Sequence, residues 1–167
     1  MVPNVEQQLN AIRRTIEKTI QPALPADEGF AQEQAGLVLA SLDWVMDVVA
    51  HEQRYEQIEH ADTRALLEDL LGLAGTTDDD ARALLEQSAE PPADLPALRE
   101  QTGRLKAATV RLFDVLAAEP ATRPDARRLL AASSRRQMER ERSWTRMTGF
   151  SGDVPNVGEV LAAQAGG

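Results

Sequence analysis

Apolar residues recur along this chain at spacings of three and four, interrupted by proline and glycine, and never settle into the strict alternation of a half-buried strand. Over 4–21 the stripe is Val5, Leu9, Ile12, Ile16 and Ile20, a narrow packing seam behind an N-cap at Asn4. Pro22 and Pro25 end it, because proline lacks the amide hydrogen and clashes with the preceding turn. A second, long helix is predicted over 27–60, with Phe30, Gln34, Leu37, Val38, Ser41, Leu42, Val45, Val48 and Val49 facing inward. Its stripe runs out into Glu52, Tyr55, Glu56 and Glu59, which places carboxylates where a core should continue.

Asp62-Thr63 reads as the cap of a third helix carrying Leu66, Leu67, Leu70 and Leu71, closed by Gly72 and Gly75. The run Thr76-Thr77-Asp78-Asp79-Asp80 caps a short fourth helix with Leu84 and Leu85, which leaves through the proline-rich stretch 90–96. A fifth helix over 97–118 aligns Leu98, Thr102, Leu105, Thr109, Leu112, Phe113 and Leu116 on one face. The sixth, over 124–146, has a poor inward stripe of Ala126, Leu130, Ser133, Ser134, Gln137, Glu141 and Trp144. These elements predict an all-α, up-and-down bundle of five to six helices over 1–147. A Gly-containing, largely irregular tail follows over 148–167, with one turn of helix around Val160 and Leu161 and with Phe150 available to dock.

Composition narrows the chemistry. At 167 residues the chain can bury about two-thirds of its unfolded surface and needs no staples. It has no cysteine, which removes disulfides, thiolate nucleophiles and Cys-ligated metal centres, and suits a reducing cytosol. The opening shows no basic stretch followed by an apolar run, and no segment approaches the roughly 18 uninterrupted apolar residues of a membrane span. The expected location is the cytoplasm, with no membrane partner.

Charge is distributed unevenly. Arg123, Arg127, Arg128, Arg135, Arg136, Arg140, Arg142 and Arg146 face only Asp125, Glu139 and Glu141, a local balance of +5 within a chain of net −9, so the remainder carries −14. An acidic body repels phosphates, so nucleic acid is not an expected partner. The outward ridge of Arg128, Arg135, Arg142 and Arg146, with Trp144 beside it, is the candidate partner-binding surface, because Arg and aromatic side chains are enriched at binding hot spots. The same ridge also reads simply as a solubilising face.

Two groups of polar side chains invite a chemical reading. Asp43, Asp47 and His51 stand four apart on one helix face, but both aspartates point away from Val45 and are expected in water. Glu52, Glu56 and His60, with Glu141 from the sixth helix, form a candidate polar pocket between the second and sixth helices. Carboxylates at that position must be solvated, paired or engaged by a ligand. No phosphate loop, dinucleotide fingerprint, nucleophile elbow or His-Glu-x-x-His motif occurs, and Tyr55 occupies the second-histidine position after His51-Glu52. No catalytic residue, metal or cofactor is assigned.

The opening Gln8-Leu-Asn-Ala-Ile-Arg-Arg-Thr-Ile-Glu-Lys-Thr-Ile-Gln-Pro-Ala-Leu24, followed by Phe30-Ala and the apolar helix to Val49, resembles small helical proteins encoded beside aminoglycoside-phosphotransferase-like kinases and acyl-CoA dehydrogenases. The resemblance covers roughly the first fifty residues. It implies an accessory subunit of a kinase acting on hydroxyacyl-CoA compounds and supplies no catalytic residues. The expectation is therefore a non-catalytic accessory or interaction protein that binds a larger, phosphotransferase-like enzyme. A small-ligand binder or enzyme using the polar pocket is the rival, and homodimerisation through the first helix is compatible with either.

Overall fold

Asn4 opens the first helix through a reciprocal capping box: its side chain accepts from the Gln7 amide at 2.8 Å, and the Gln7 side chain accepts from the Asn4 amide at 3.1 Å. In the computed structural model, which describes residues 4–75, 78–148 and 152–165, α1 spans Val5–Thr15 and continues through a π-helical turn, Ile16–Ile20, and a 3₁₀ turn, Gln21–Ala23, where Pro22 ends it. Next come α2 (Gly29–Val48), α3 (Glu52–Ala74), α4 (Asp79–Gln87), α5 (Leu95–Ala118), α6 (Arg123–Trp144) and α7 (Val157–Ala165). The fold is all-α, and the described residues contain no strand.

The predicted helix over 27–60 is two helices. A 3₁₀ turn at Val49–His51 separates α2 from α3, and α3 then runs unbroken through Asp62 and Thr63, which are interior residues and not a cap. Thr63 Oγ1 donates to the Glu59 carbonyl one turn back at 2.7 Å, so its hydroxyl is satisfied without ending the helix. Asp62 is drawn to arginines, as described below. Gly75, with φ of 59°, follows α3 in the left-handed conformation that glycine adopts at no steric penalty. The tail also departs from expectation, because α7 gives it more than a turn of helix. Thr76, Thr77 and the ring of Phe150 lie outside the described residues.

The chain gathers into two compact units, one from Met1–His51 with Arg142–Val157 and one from Glu52–Glu141 with Gly158–Gly167. In the first, α1 and α2 are tied by Arg13, which reaches Asp43 and Glu17, and Trp44 Nε1 donates to the Trp144 carbonyl at 2.9 Å. Arg146 pairs with Asp47. Asp43 and Asp47 are therefore not on a wet face: both are partly buried beneath arginines. Val48 is buried, whereas Phe30, Leu37 and Val38 of the predicted inward stripe are exposed.

The second unit has the core. Leu66, Leu67 and Leu70 of α3 pack with Ala81 and Leu84 of α4, with Leu105, Ala108, Leu112 and Leu116 of α5, and with Ala126 of α6. The α3 and α5 helices run parallel, since Glu52 and Glu56 at the start of α3 meet Arg99 at the start of α5 and Glu59, further along, meets Lys106. Asp78 and Asp94 cap α4 and α5, accepting from the Ala81 and Ala97 amides at 3.0 Å. At the far end of α5, Arg123 donates to the otherwise orphaned carbonyls of Ala117 and Ala118. Every residue predicted on the buried face of α5 is buried except Phe113, which is half-buried.

Candidate functional site

Within the second unit, α3 and α5 approach closely along their lengths, while α6 meets them through long charged side chains. The centre of that arrangement is Arg140, only 2% exposed. Its fork grips two carboxylates on successive turns of one face of α3, Nη2 donating to Glu59 and Nη1 to Asp62. Glu59 is also held by Lys106 Nζ of α5 at 2.6 Å, and Asp62 by Arg136 Nε at 3.1 Å. Gln164 of α7 closes the cluster, accepting from Arg140 at 2.8 Å and donating to the Arg136 carbonyl at 3.1 Å. The guanidinium carbon of Arg140 lies 6.0 Å from the centre of the Tyr55 ring, at the edge of cation–π range.

Electrostatics keep these groups charged. Burial alone would raise the Glu59 carboxyl, but hydrogen bonds from Lys106 and Arg140 overcome it and hold that carboxyl below its ordinary range. Burial would likewise weaken Arg140 as a base, and the bonds to Glu59 and Asp62 reverse the effect. Tyr55 is pushed up to about 12, first by burial and then by the negative charge of Glu59 and Glu141, so it stays a neutral phenol.

Beside the cluster lies an open cleft of about 230 Å³ walled by α3, α5 and α6. Glu59, Asp62, Lys106 and Arg140 stand at one end, and Leu66, Val110 and Leu130 at the other. Between them come the hydroxyls of Thr63, Thr109, Ser133 and Ser134. Thr109, like Thr63, donates to its own helix. The cleft lies where α6, held by charged side chains at one end and by Ala126 in the core at the other, presents the small Ser133 and Ser134 between them.

The residues predicted to form a pocket between the second and sixth helices are distributed differently. Glu52 and Glu56 both bind Arg99 of α5 at 2.7 Å, so their partner is the fifth helix. His60 is buried at 2% exposure, also against α5, with Nε2 2.7 Å from Gln101 Oε1. Burial, helped by the charge of Arg64, holds its pKa below the ordinary imidazole value against the opposing pull of Gln101. Glu141 is exposed and accepts from Gln137 at 2.8 Å. The inward residue of α6 is its neighbour Arg140, one position away and therefore about 100° around the helix.

The arginine ridge also resolves into separate roles. Arg128 is exposed and pairs with Asp125 at 2.8 Å, and Arg135 is exposed, both in the second unit. Arg142, Trp144 and Arg146 belong to the first unit, where Arg142 is exposed, Trp144 is half-buried and Arg146 is occupied by Asp47.

Sequence reasoning missed Asp62, Lys106 and Arg140 as a group and left Glu59 as the end of a stripe. Glu59, Thr63, Leu66 and Leu70 do share one helical face, so an acid leading a buried leucine row was the available signal for a buried cation elsewhere.

Among the described residues no three or more His, Asp or Glu side chains gather as metal ligands, and no helix is long and apolar enough to cross a membrane. No family model, curated protein or solved structure matches this chain.

Proposed function

We propose that this is a cytoplasmic, non-catalytic accessory protein that docks on a larger metabolic enzyme through its first unit. The observation that carries the reading is the apolar surface of α1 and α2: Val5, Ile12 and Ile20 are 63%, 48% and 47% exposed, and Phe30, Leu37 and Val38 are 74%, 54% and 47% exposed. Val5 and Ile12 stand seven apart on one helix, as do Phe30 and Leu37, so each pair shares a face. Single exposed apolar residues are ordinary, but rows of them on adjoining helices mark an interaction surface. The ion pair of Arg13 with Asp43 ties the helices together and leaves those rows free.

The partner proposed is an aminoglycoside-phosphotransferase-like kinase of acyl-CoA or small-molecule metabolism, on the strength of the resemblance carried by 8–24 and Phe30. The carboxylates Glu52, Glu56 and Glu59 of the second unit are each held by a cation of α5 or α6, which agrees with a structural and not a catalytic use of them.

Purification of the tagged chain from its native cell is the test. A phosphotransferase-like enzyme in stoichiometric amount is expected, and the double variant Phe30→Asp, Leu37→Asp should lose it by about thirtyfold or more, the scale of a hot spot of about 2 kcal/mol. A solitary monomer by light scattering, or unchanged capture by the double variant, overturns the proposal. A homodimer that the same variant dissociates reassigns the surface to a second copy.

A further inference from the structure

We propose that the cleft between α3, α5 and α6 is a binding site for a short-chain aliphatic monocarboxylate, with its carboxylate at Lys106 and its tail along Leu66, Val110 and Leu130. Three features of the cleft select that chemistry. The first is charge: in a protein of net −9, the two carboxylates that line the cleft, Glu59 and Asp62, are fully balanced by Lys106 and Arg140, and Arg136 also holds Asp62. Because Arg140 already neutralises Glu59, the Lys106 ammonium can take a second, singly charged partner, while the two carboxylates repel a phosphate dianion more strongly.

The second feature is donor geometry. Lys106 is about half exposed, and its single carboxylate partner, Glu59, leaves ammonium protons for another acceptor. Ser133 and Ser134 line the cleft with hydroxyls that donate to no residue among those described. The buried Nε of Arg140 also has no acceptor. A carboxylate brings two oxygens to such a set of donors.

The third is size and polarity. About 230 Å³ is the room of seven or eight waters at about 30 Å³ each, and is smaller than the roughly 300 Å³ and more of drug-sized pockets. An acid of a few carbons matches that room. The gradient from Lys106 through hydroxyls to leucine and valine follows the polarity of such an acid from head to tail. This site lies wholly within the second unit and is independent of the docking proposed for the first.

Titration of the full chain with butyrate, hexanoate and decanoate, read from the amide NMR shifts of Thr109, Ser133 and Ser134, tests the assignment. Saturable shifts are expected for the shorter acids, tightening about threefold to fourfold for each methylene that the apolar end covers, and failing to tighten further for decanoate. Hexanamide, hexylammonium and inorganic phosphate should leave the shifts unsaturated. Lys106→Gln should weaken hexanoate by at least about tenfold, and Ser133→Leu, which fills the cleft without touching the ion cluster, should abolish binding. If Lys106→Gln does not fold, Ser133→Leu and the uncharged amide still decide. The site is overturned by unsaturated titrations up to about 10 mM, beyond even a millimolar affinity. Equal binding of acid, amide and amine, or undiminished binding to folded Ser133→Leu, also overturns it.

Discussion

The two units use the same ingredients, amphipathic helices and arginine–carboxylate pairs, in opposite ways. In the second, leucines from α3, α4 and α5 interlock and the ion cluster sits buried at the flank of that core. In the first, Val48 and Val157 are the buried apolar side chains among the described residues, while α1 and α2 hold isoleucine, leucine, valine and phenylalanine out to solvent. An apolar stripe therefore does not by itself announce a core. It becomes one only where neighbouring helices meet it: Leu9, Ile16, Leu42 and Val45 are half-buried on the side tied by Arg13 and Asp43, while Val5, Ile12, Phe30, Leu37 and Val38 are left exposed.

The contrast is sharpest in the ion pairs. Arg140→Ala leaves Glu59 buried beside Asp62 with half their compensation gone, and should lower stability by about 3–5 kcal/mol. Arg146→Ala removes a two-pronged, partly buried pair with Asp47 and should lower it by less, about 1–2 kcal/mol. Urea denaturation of both variants checks this, and equal losses would erase the distinction between the units.

Apolar truncation extends the test. Leu70→Ala in the closed core should destabilise by about 2–5 kcal/mol through lost transfer energy and the cavity left behind. Leu37→Ala, at a side chain 54% exposed, should stay within about 0.5 kcal/mol. A large effect at Leu37 would show that the α2 stripe is covered in solution.

The smallest effect is in pH. His60 has a depressed folded pKa, so below the unfolded value the unfolded chain binds more protons, and stability falls as pH drops from about 6.5. Glu59, also depressed, keeps its contribution above its unfolded pKa and loses it at more acid pH, through its own folded value. Melting temperature should therefore decline in two stages on acidification, and His60→Gln should remove the first. Identical profiles for the variant and the parent would place that stage elsewhere.

Much of the second unit was legible in the chain. The α5 face from Leu98 to Leu116, the leucine row of α3, the Asp78 cap and the proline breaks follow from local rules. The candidate site was only half legible. Glu52, Glu56 and His60 were recognised as carboxylates and an imidazole near a core, but their assignment to the sixth helix failed because a helical wheel says which face a residue occupies and not which helix stands opposite. Asp62-Thr63 misled because the same two residue types satisfy either a cap or an interior helix whose acid has a distant arginine.

Sequence by itself determined that this protein is helical and where most of its helices stop, since backbone hydrogen bonds, caps and prolines act over a few residues. Tertiary structure alone decided that Arg140 and not Glu141 turns inward, that Glu59 meets a cation 81 positions away, and that Val5, Ile12, Phe30, Leu37 and Val38 of the α1 and α2 stripes stay open. Those outcomes depend on which helices approach, and the partner that neutralises a buried charge is chosen by distance in space, about which spacing along the chain says nothing.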